Sequence, residues 1–235
     1  MKKVFKMAAF MLCAAFMMTA CNCSTSCKSD ENKKAQFEKA ASEFKATLES
    51  GNVIIGERID SVVQKVFYIV PNSEGSIENI EMHDYATNGV LSILPCPVSE
   101  NIGKDLSYAK LAREMGEEFN CFNLQYQGSE LIGDRLFFVV HAECTFDMET
   151  SIVYYVNVLD NTLHYVAECD AVKFDKVNGS MEIHKQLLKQ AGEDLEHSYN
   201  LSASLSDDEY AAKRNENEAI ENQMVEKWRE ENIDE

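Results

Sequence analysis

The feature that most limits what this chain can fold into is a run of strand-like segments between residues 122 and 171, joined by very short connections. Phe122 to Ile132 ends at Gly133-Asp134, Arg135 to Phe146 follows, and Ser151 to Leu159 is joined to Thr162–Ala171 by Asp160-Asn161. These segments are rich in β-branched and aromatic residues, which suit a pleated, half-buried surface. Connections this short can only join antiparallel neighbours, so a four-strand meander is expected. Pairing across Asp160-Asn161 places Leu159 opposite Thr162, Asn157 opposite His164 and Ile152 opposite Cys169. One face then carries Ile152, Tyr154, Val156 and Val158, continued by Leu163, Tyr165, Ala167 and Cys169, and shared by Leu136, Phe138, Val140, Ala142, Cys144 and Phe146. The other face collects His141, Glu143, Tyr155, Asn157, His164 and Glu168.

Upstream, Ser61 to Val70 reads as a strand closed by Pro71-Asn72. Ile77 to Ala86 and Val90 to Leu94 flank Thr87-Asn88-Gly89, and Asn-Gly between apolar runs is a strong hairpin signal. Helical spacing of Phe37, Ala40, Ala41, Phe44 and Leu48 predicts an amphipathic helix over residues 32–50, with its stripe on the core. A second helix is expected from Lys104 to Phe119, through Leu106, Ala109, Ala112 and Met115. A third is expected from Ser180 to His197, through Met181, Ile183, Leu187, Leu188, Ala191 and Leu195. From Asp207 to Glu235 there are 11 acidic and four basic side chains. Ile220, Met224 and Trp228 recur there at helical spacing. The expectation is an α+β domain over residues 53–200, an antiparallel hairpin plus meander packed with helices, followed by an acidic helical tail over 201–235.

That order of elements, with LFFVVHAECTF, SIVYYVNVL, the tight Asp160-Asn161 turn, LHYVAECDAVKF and a terminal helix, resembles the PsbP-like superfamily of the extrinsic photosystem II subunit. The resemblance spans roughly residues 60–197 and carries no catalytic motif. It implies a non-enzymatic binding or assembly module. A cystatin-like α+β fold with a curved sheet is the alternative.

The N-terminus speaks to location. Lys2, Lys3 and Lys6 precede an uncharged, mostly apolar stretch from Met7 to Met18, closed by Thr19 and Ala20, which is the pattern of a secretory signal. The stretch is far shorter than the ~20 residues a membrane-spanning helix needs. Met18-Thr19-Ala20-Cys21 resembles the lipobox of Gram-negative bacterial lipoproteins, although Met18 stands where leucine is usual. The resemblance implies a signal peptide over residues 1–20, lipidation of Cys21, and a short tether over 21–31 that holds the chain to a membrane of the cell envelope, the outer one in preference to the inner. Which leaflet holds it stays open; Ser29-Asp30-Glu31 is an acidic cluster like that of some surface-exported lipoproteins. With its sulfur acylated, Cys21 leaves Cys23 and Cys27 unable to complete a four-ligand zinc shell.

Removal of residues 1–20 deletes three lysines and takes the net charge from −18 to −21. Such a field repels nucleic acid and anionic lipid surfaces and favours a basic or cation-bearing partner. An envelope protein is one such partner, meeting either the acidic helix around Ile220, Met224 and Trp228 or the polar sheet face. No phosphate loop, nucleophile elbow, zincin motif or C-x-x-C pair is present, and no cofactor is implied. The alternative to a binding module is a metal-dependent protein or enzyme. In one of two registers His141, Asn157 and His164 form a row across three strands with Glu143 nearby, a set able to bind a ligand, hold a metal or act as acid and base. Cys144 and Cys169, one strand apart on the same face, read as small buried hydrophobes, whereas Cys96 and Cys121 flank the second helix and could meet.

Overall fold

Polar turns fold the strand segments back on themselves into three separate antiparallel sheets. A computed structural model of the chain describes residues 26–49, 51–94, 115–116, 121–145, 148–190 and 193–232. Helix α1 is Ser26–Lys45. The first sheet is the meander β1 (Val53–Ile59), β2 (Gln64–Pro71), β3 (Ile77–Asp84) and β4 (Gly89–Leu94). The second is the meander β5 (Cys121–Ile132), β6 (Arg135–Cys144), β7 (Met148–Asn157) and β8 (Leu163–Cys169). The third contains β9 (Ala171–Asp175), β10 (Ser180–Gln190) and β11 (Glu193–Ser202) in the order β11-β10-β9. Helix α2, Asp207–Asn232, closes the chain.

The chain is thus α+β, built mainly of antiparallel sheet, and the four-strand meander and the Asn-Gly hairpin stand where the sequence places them. Asn88 takes the left-handed φ of 55° that this hairpin turn requires. Strand β1 is additional to the expected set. Helix α1 begins at Ser26, so residues 26–31, expected as tether, are helical. The expected helix from Lys104 to Phe119 lies outside the described residues except for Met115 and Gly116, as do residues 1–25 with Cys21 and Cys23, and Cys96.

The largest difference is at Ser180–His197, where a β-hairpin replaces the expected helix. Met181 and Ile183 satisfy a period of two as well as one of 3.6, and both are fully buried. Gly179, at a φ of 62°, supplies the tight turn from β9 that starts the hairpin. The adjacent Leu187 and Leu188 look helical, but a bulge between Gln186 and Leu188 absorbs the extra residue and Leu188 pairs with Leu195.

Packing follows from the apolar faces. The first and second sheets bury Phe67, Ile69 and Ile80 against Leu136, Phe138, Val140, Ile152 and Val156. Helix α1 covers the outer face of the first sheet, where Ala41, with Phe37, Phe44 and Leu48 partly buried, packs on Val66, Tyr68 and Tyr85. The second sheet is buried on its other face too, where Phe137, Val139, Val153 and Tyr155 meet Met181, Ile183 and Leu201 of the third sheet and Tyr210 of α2.

Candidate functional site

The face proposed for chemistry from sequence is that second, covered face, and its histidines are not brought together. In the β6/β7 ladder His141 faces Ser151 and Asn157 faces Arg135. In the β7/β8 ladder His164 faces Tyr155, not Asn157. The reason is the length of the turn. The β7–β8 connection closes with Asn157 N–H donating to Thr162 O at 3.0 Å, which makes it a four-residue loop and moves the partner of His164 two residues back along β7, from Asn157 to Tyr155. His141 and His164 therefore sit four positions apart along the ladder, ~13 Å at the usual rise. The row of His141, Asn157 and His164 does not form. A bulge between Val153 and Tyr154 on this ladder then flips the end of β8, so Ala167 and Cys169 pack against the third sheet and not on the expected face with Ile152.

Each candidate has its own local partners. His141 Nδ1 lies 3.4 Å from Ser151 Oγ, and its Nε2 3.8 Å from Glu149. Glu143 accepts from Asn123 Nδ2 at 2.6 Å. Asn157 Oδ1 accepts from Leu159 N–H at 3.0 Å, shaping the loop. Among the described residues no group of three or more His, Cys, Asp or Glu side chains is placed to hold a metal ion.

His164 belongs to the best-connected of these sets. Its Nδ1 lies 2.7 Å from Asp207 Oδ2, its Nε2 2.6 Å from Thr162 Oγ1, and its ring stacks on Tyr155 with centroids 4.5 Å apart. Tyr155 O–H donates to the other Asp207 oxygen at 3.1 Å, and the Arg135 guanidinium sits 4.6 Å over the Tyr155 ring. A hydroxyl, an imidazole and a carboxylate in this order resemble a nucleophile, base and orienting acid. The hydrogens argue otherwise. Thr162 has one hydroxyl hydrogen, and its Oγ1 also lies 2.6 Å from Asp160 Oδ1, whose pKa that hydrogen bond holds below the usual carboxylate range. With that hydrogen given to Asp160, Thr162 has none left to hand to His164, and the other ring nitrogen lies against Asp207 in the first turn of α2. The set docks a helix N-terminus, where the Asp207 carboxylate is favoured by the helix dipole.

The rest of α2 docks through polar contacts. Ser206 and Glu209 form a capping box, Ser206 N–H donating to Glu209 at 2.8 Å and Glu209 N–H to Ser206 Oγ at 3.3 Å. Tyr210 is fully buried, and its hydroxyl donates to Ser202 O at 3.0 Å. Arg214 donates to Val166 O at 2.9 Å with its guanidinium 4.4 Å above the Tyr165 ring. Asn217 meets His197 Nε2 at 3.0 Å, and Glu221 meets Lys185 Nζ at 3.0 Å. The docked face thus runs through Tyr210, Arg214, Asn217 and Glu221, whereas Ile220 of the expected stripe is exposed and Met224 and Trp228 are half-buried.

Where this seam meets the ends of β7 and β8, it leaves a cleft of about 250 Å³. Glu149 (β7), Glu168 (β8), Asp170, and Glu218 and Glu221 (α2) line it together with Lys185 (β10). Five carboxylates thus face a single ammonium. Glu221 is the sharpest feature. Its residue is only 8% exposed, one oxygen binds Lys185, and Oε1 is buried with no hydrogen-bond donor. A buried acceptor without a donor costs about 1–3 kcal/mol, more for a charged group. Of this lining the sequence pattern marks Glu168 alone: a helix expected over Ser180–His197 keeps Lys185 off the sheet, and nothing in helical spacing sets Glu218 and Glu221 apart from the other acids of the tail. No helix among the described residues is long and apolar enough to cross a membrane. Compared with protein-family models, curated proteins and solved structures, the chain matches none.

Proposed function

We propose that the chain is a cell-envelope lipoprotein, tethered through a lipidated Cys21, whose domain works by binding, and that the acidic cleft under α2 takes a ligand bearing ammonium or guanidinium groups. The observation that carries this reading is the five-carboxylate lining with a donorless, buried Glu221 Oε1. An N–H cation supplies the donor that this oxygen lacks and the charge that the lining favours. The net charge of −18 steers the same class of ligand toward the protein, most strongly at low salt.

Spermidine titrated into the mature chain carrying Cys21→Ser, followed by calorimetry at low salt, is the direct test. Saturable binding that weakens with salt and is lost in Glu221→Gln and Glu218→Gln is the expected outcome. Absence of binding, or binding indifferent to both changes, removes the cleft from the proposal. The anchor is tested separately by metabolic labelling with a palmitate analogue, where equal labelling of wild type and Cys21→Ser would refute it. The finer fold reading, a PsbP-like arrangement, is proposed for the stretch Gln64–Cys169 alone, since the terminal helix behind that likeness is a hairpin here.

A further inference from the structure

We propose that Cys121 and Cys144 are joined by a disulfide that staples β5 to β6. The two residues are directly opposite each other in the β5/β6 register, and their sulfurs lie 2.7 Å apart. Unbonded sulfur atoms do not pack so closely. Directly opposed residues of an antiparallel pair have Cα atoms about 4.5–5.5 Å apart, within the ~4.4–6.8 Å that a disulfide spans, so no backbone shift is needed. This replaces both sequence readings: Cys144 is not merely a small buried hydrophobe, and the partner of Cys121 is not Cys96.

The chemistry is ordinary thiol–disulfide exchange. One cysteine thiolate attacks the disulfide of an oxidising thiol–disulfide oxidoreductase, or of oxidised glutathione in vitro, and releases one thiol. The second cysteine then attacks the mixed disulfide and releases the other. One S–S bond forms and one breaks; the two thiol protons and two electrons leave with the reduced carrier. Both side chains end up buried, at 3% and 2% exposure, so the bond forms while β5 and β6 are still pairing and is afterwards shielded from reductant. Cys169 provides the contrast. It packs in the other core layer, and burial pushes its thiol up to about 12.

The two cysteines are 23 positions apart. Closing a loop of that length corresponds to a rise of roughly 7–14 °C in Tm for a chain of this size. The test is independent of the anchor, because the oxidant is supplied. The mature chain is refolded from the reduced, denatured state in a glutathione buffer; remaining thiols are alkylated and the digest is mapped by mass spectrometry. A peptide linking Cys121 to Cys144, lighter by two hydrogens than its separate halves, with Cys169 alkylated, is the expected result. Recovery of both cysteines alkylated, or of Cys121 linked to Cys96, overturns the proposal. Thermal melts give the second arm. Reduced wild type, Cys121→Ala, Cys144→Ala and the double variant should share one lowered Tm, whereas losses that add from single to double variant would mean packing alone and sink the staple. Should a variant fail to fold, the peptide map of wild type still decides.

Discussion

Replacing Tyr210 tests whether α2 is part of the folded domain or a free acidic arm. The side chain is fully buried in the first turn of the helix, its ring centroid 6.1 Å from that of Tyr155 and its hydroxyl bonded to Ser202 O at 3.0 Å. Tyr210→Phe removes one buried hydrogen bond while keeping the ring, a loss of about 1 kcal/mol. Tyr210→Ala removes the ring as well and leaves a cavity against Tyr155, Met181 and Leu201, for which about 3–5 kcal/mol is expected. At ~2–4 °C per kcal/mol for a domain of this size, the alanine variant should melt roughly 6–20 °C lower and the phenylalanine variant ~2–4 °C lower. Urea unfolding followed by circular dichroism gives both values, with hydrogen exchange on α2 amides as the local check. An alanine variant within about 0.5 kcal/mol of wild type, with α2 amides exchanging freely in the wild type, would mean that the helix is undocked and that the seam and its cleft do not exist in solution.

Three further outcomes follow from single residues. Asp60 is held at about 2 by hydrogen bonds from Val63 N–H, Arg58 and Val62 N–H; its folded pKa being depressed, its contribution is complete above about pH 4 and drains as pH falls toward 2, so Asp60→Asn should flatten that stretch of the stability profile by about 1 kcal/mol after allowance for solvent exposure. Gly56→Ala would set a Cβ 2.5 Å and 2.7 Å from the two Leu136 methyls in a filled core, costing about 1–3 kcal/mol, and Leu136→Ala in the same chain should cost less than additivity predicts, read by paired urea melts. Lys65, buried at 8% exposure, donates to Val158 O, Leu159 O and Asn161 Oδ1; Lys65→Met leaves these acceptors without their donor and should lower stability by about 2–3 kcal/mol, and unchanged melts would show that water replaces the ammonium.

The meander was legible because turn chemistry and strand composition agree at Gly133-Asp134 and Asp160-Asn161. What was not legible was the length of the second loop. Asn157, three residues before Asp160, also turns the chain through its side chain, and Asn161 N–H donates to Asn157 O at 2.8 Å. Those bonds compete with a two-residue hairpin, and the change moves His164 two residues along β7, from Asn157 to Tyr155. The covered second face did carry a signal. Leu136-Phe137-Phe138-Val139-Val140 is apolar without alternation, the pattern of a strand buried on both sides, and Phe137 and Val139 had no place in a polar face. The hairpin at 180–202 went unread because the period of Met181 and Ile183 fits helix and strand alike. The Val177-Asn178-Gly179 turn that leads into it from β9 was the discriminating feature.

The polar seam under α2 explains why hydrophobic periodicity chose the wrong stripe there. Arg214, Asn217 and Glu221 are unremarkable on a helical wheel, yet Arg214 reaches Val166 O, Asn217 reaches His197, and Glu221 reaches Lys185. Only Tyr210 supplies a large, fully buried apolar surface to this contact. An ion pair as buried as Lys185–Glu221 adds little net stability, because desolvating both groups offsets most of their attraction. Breaking it, by contrast, leaves a buried charge alone. The seam therefore has one anchoring ring at its N-terminal end and, farther along, a set of polar contacts whose value is mutual. A cation entering the cleft meets Glu221 already desolvated, so part of the cost of removing a carboxylate from water has been met by folding itself, and Lys185 is the group that it must match or complement.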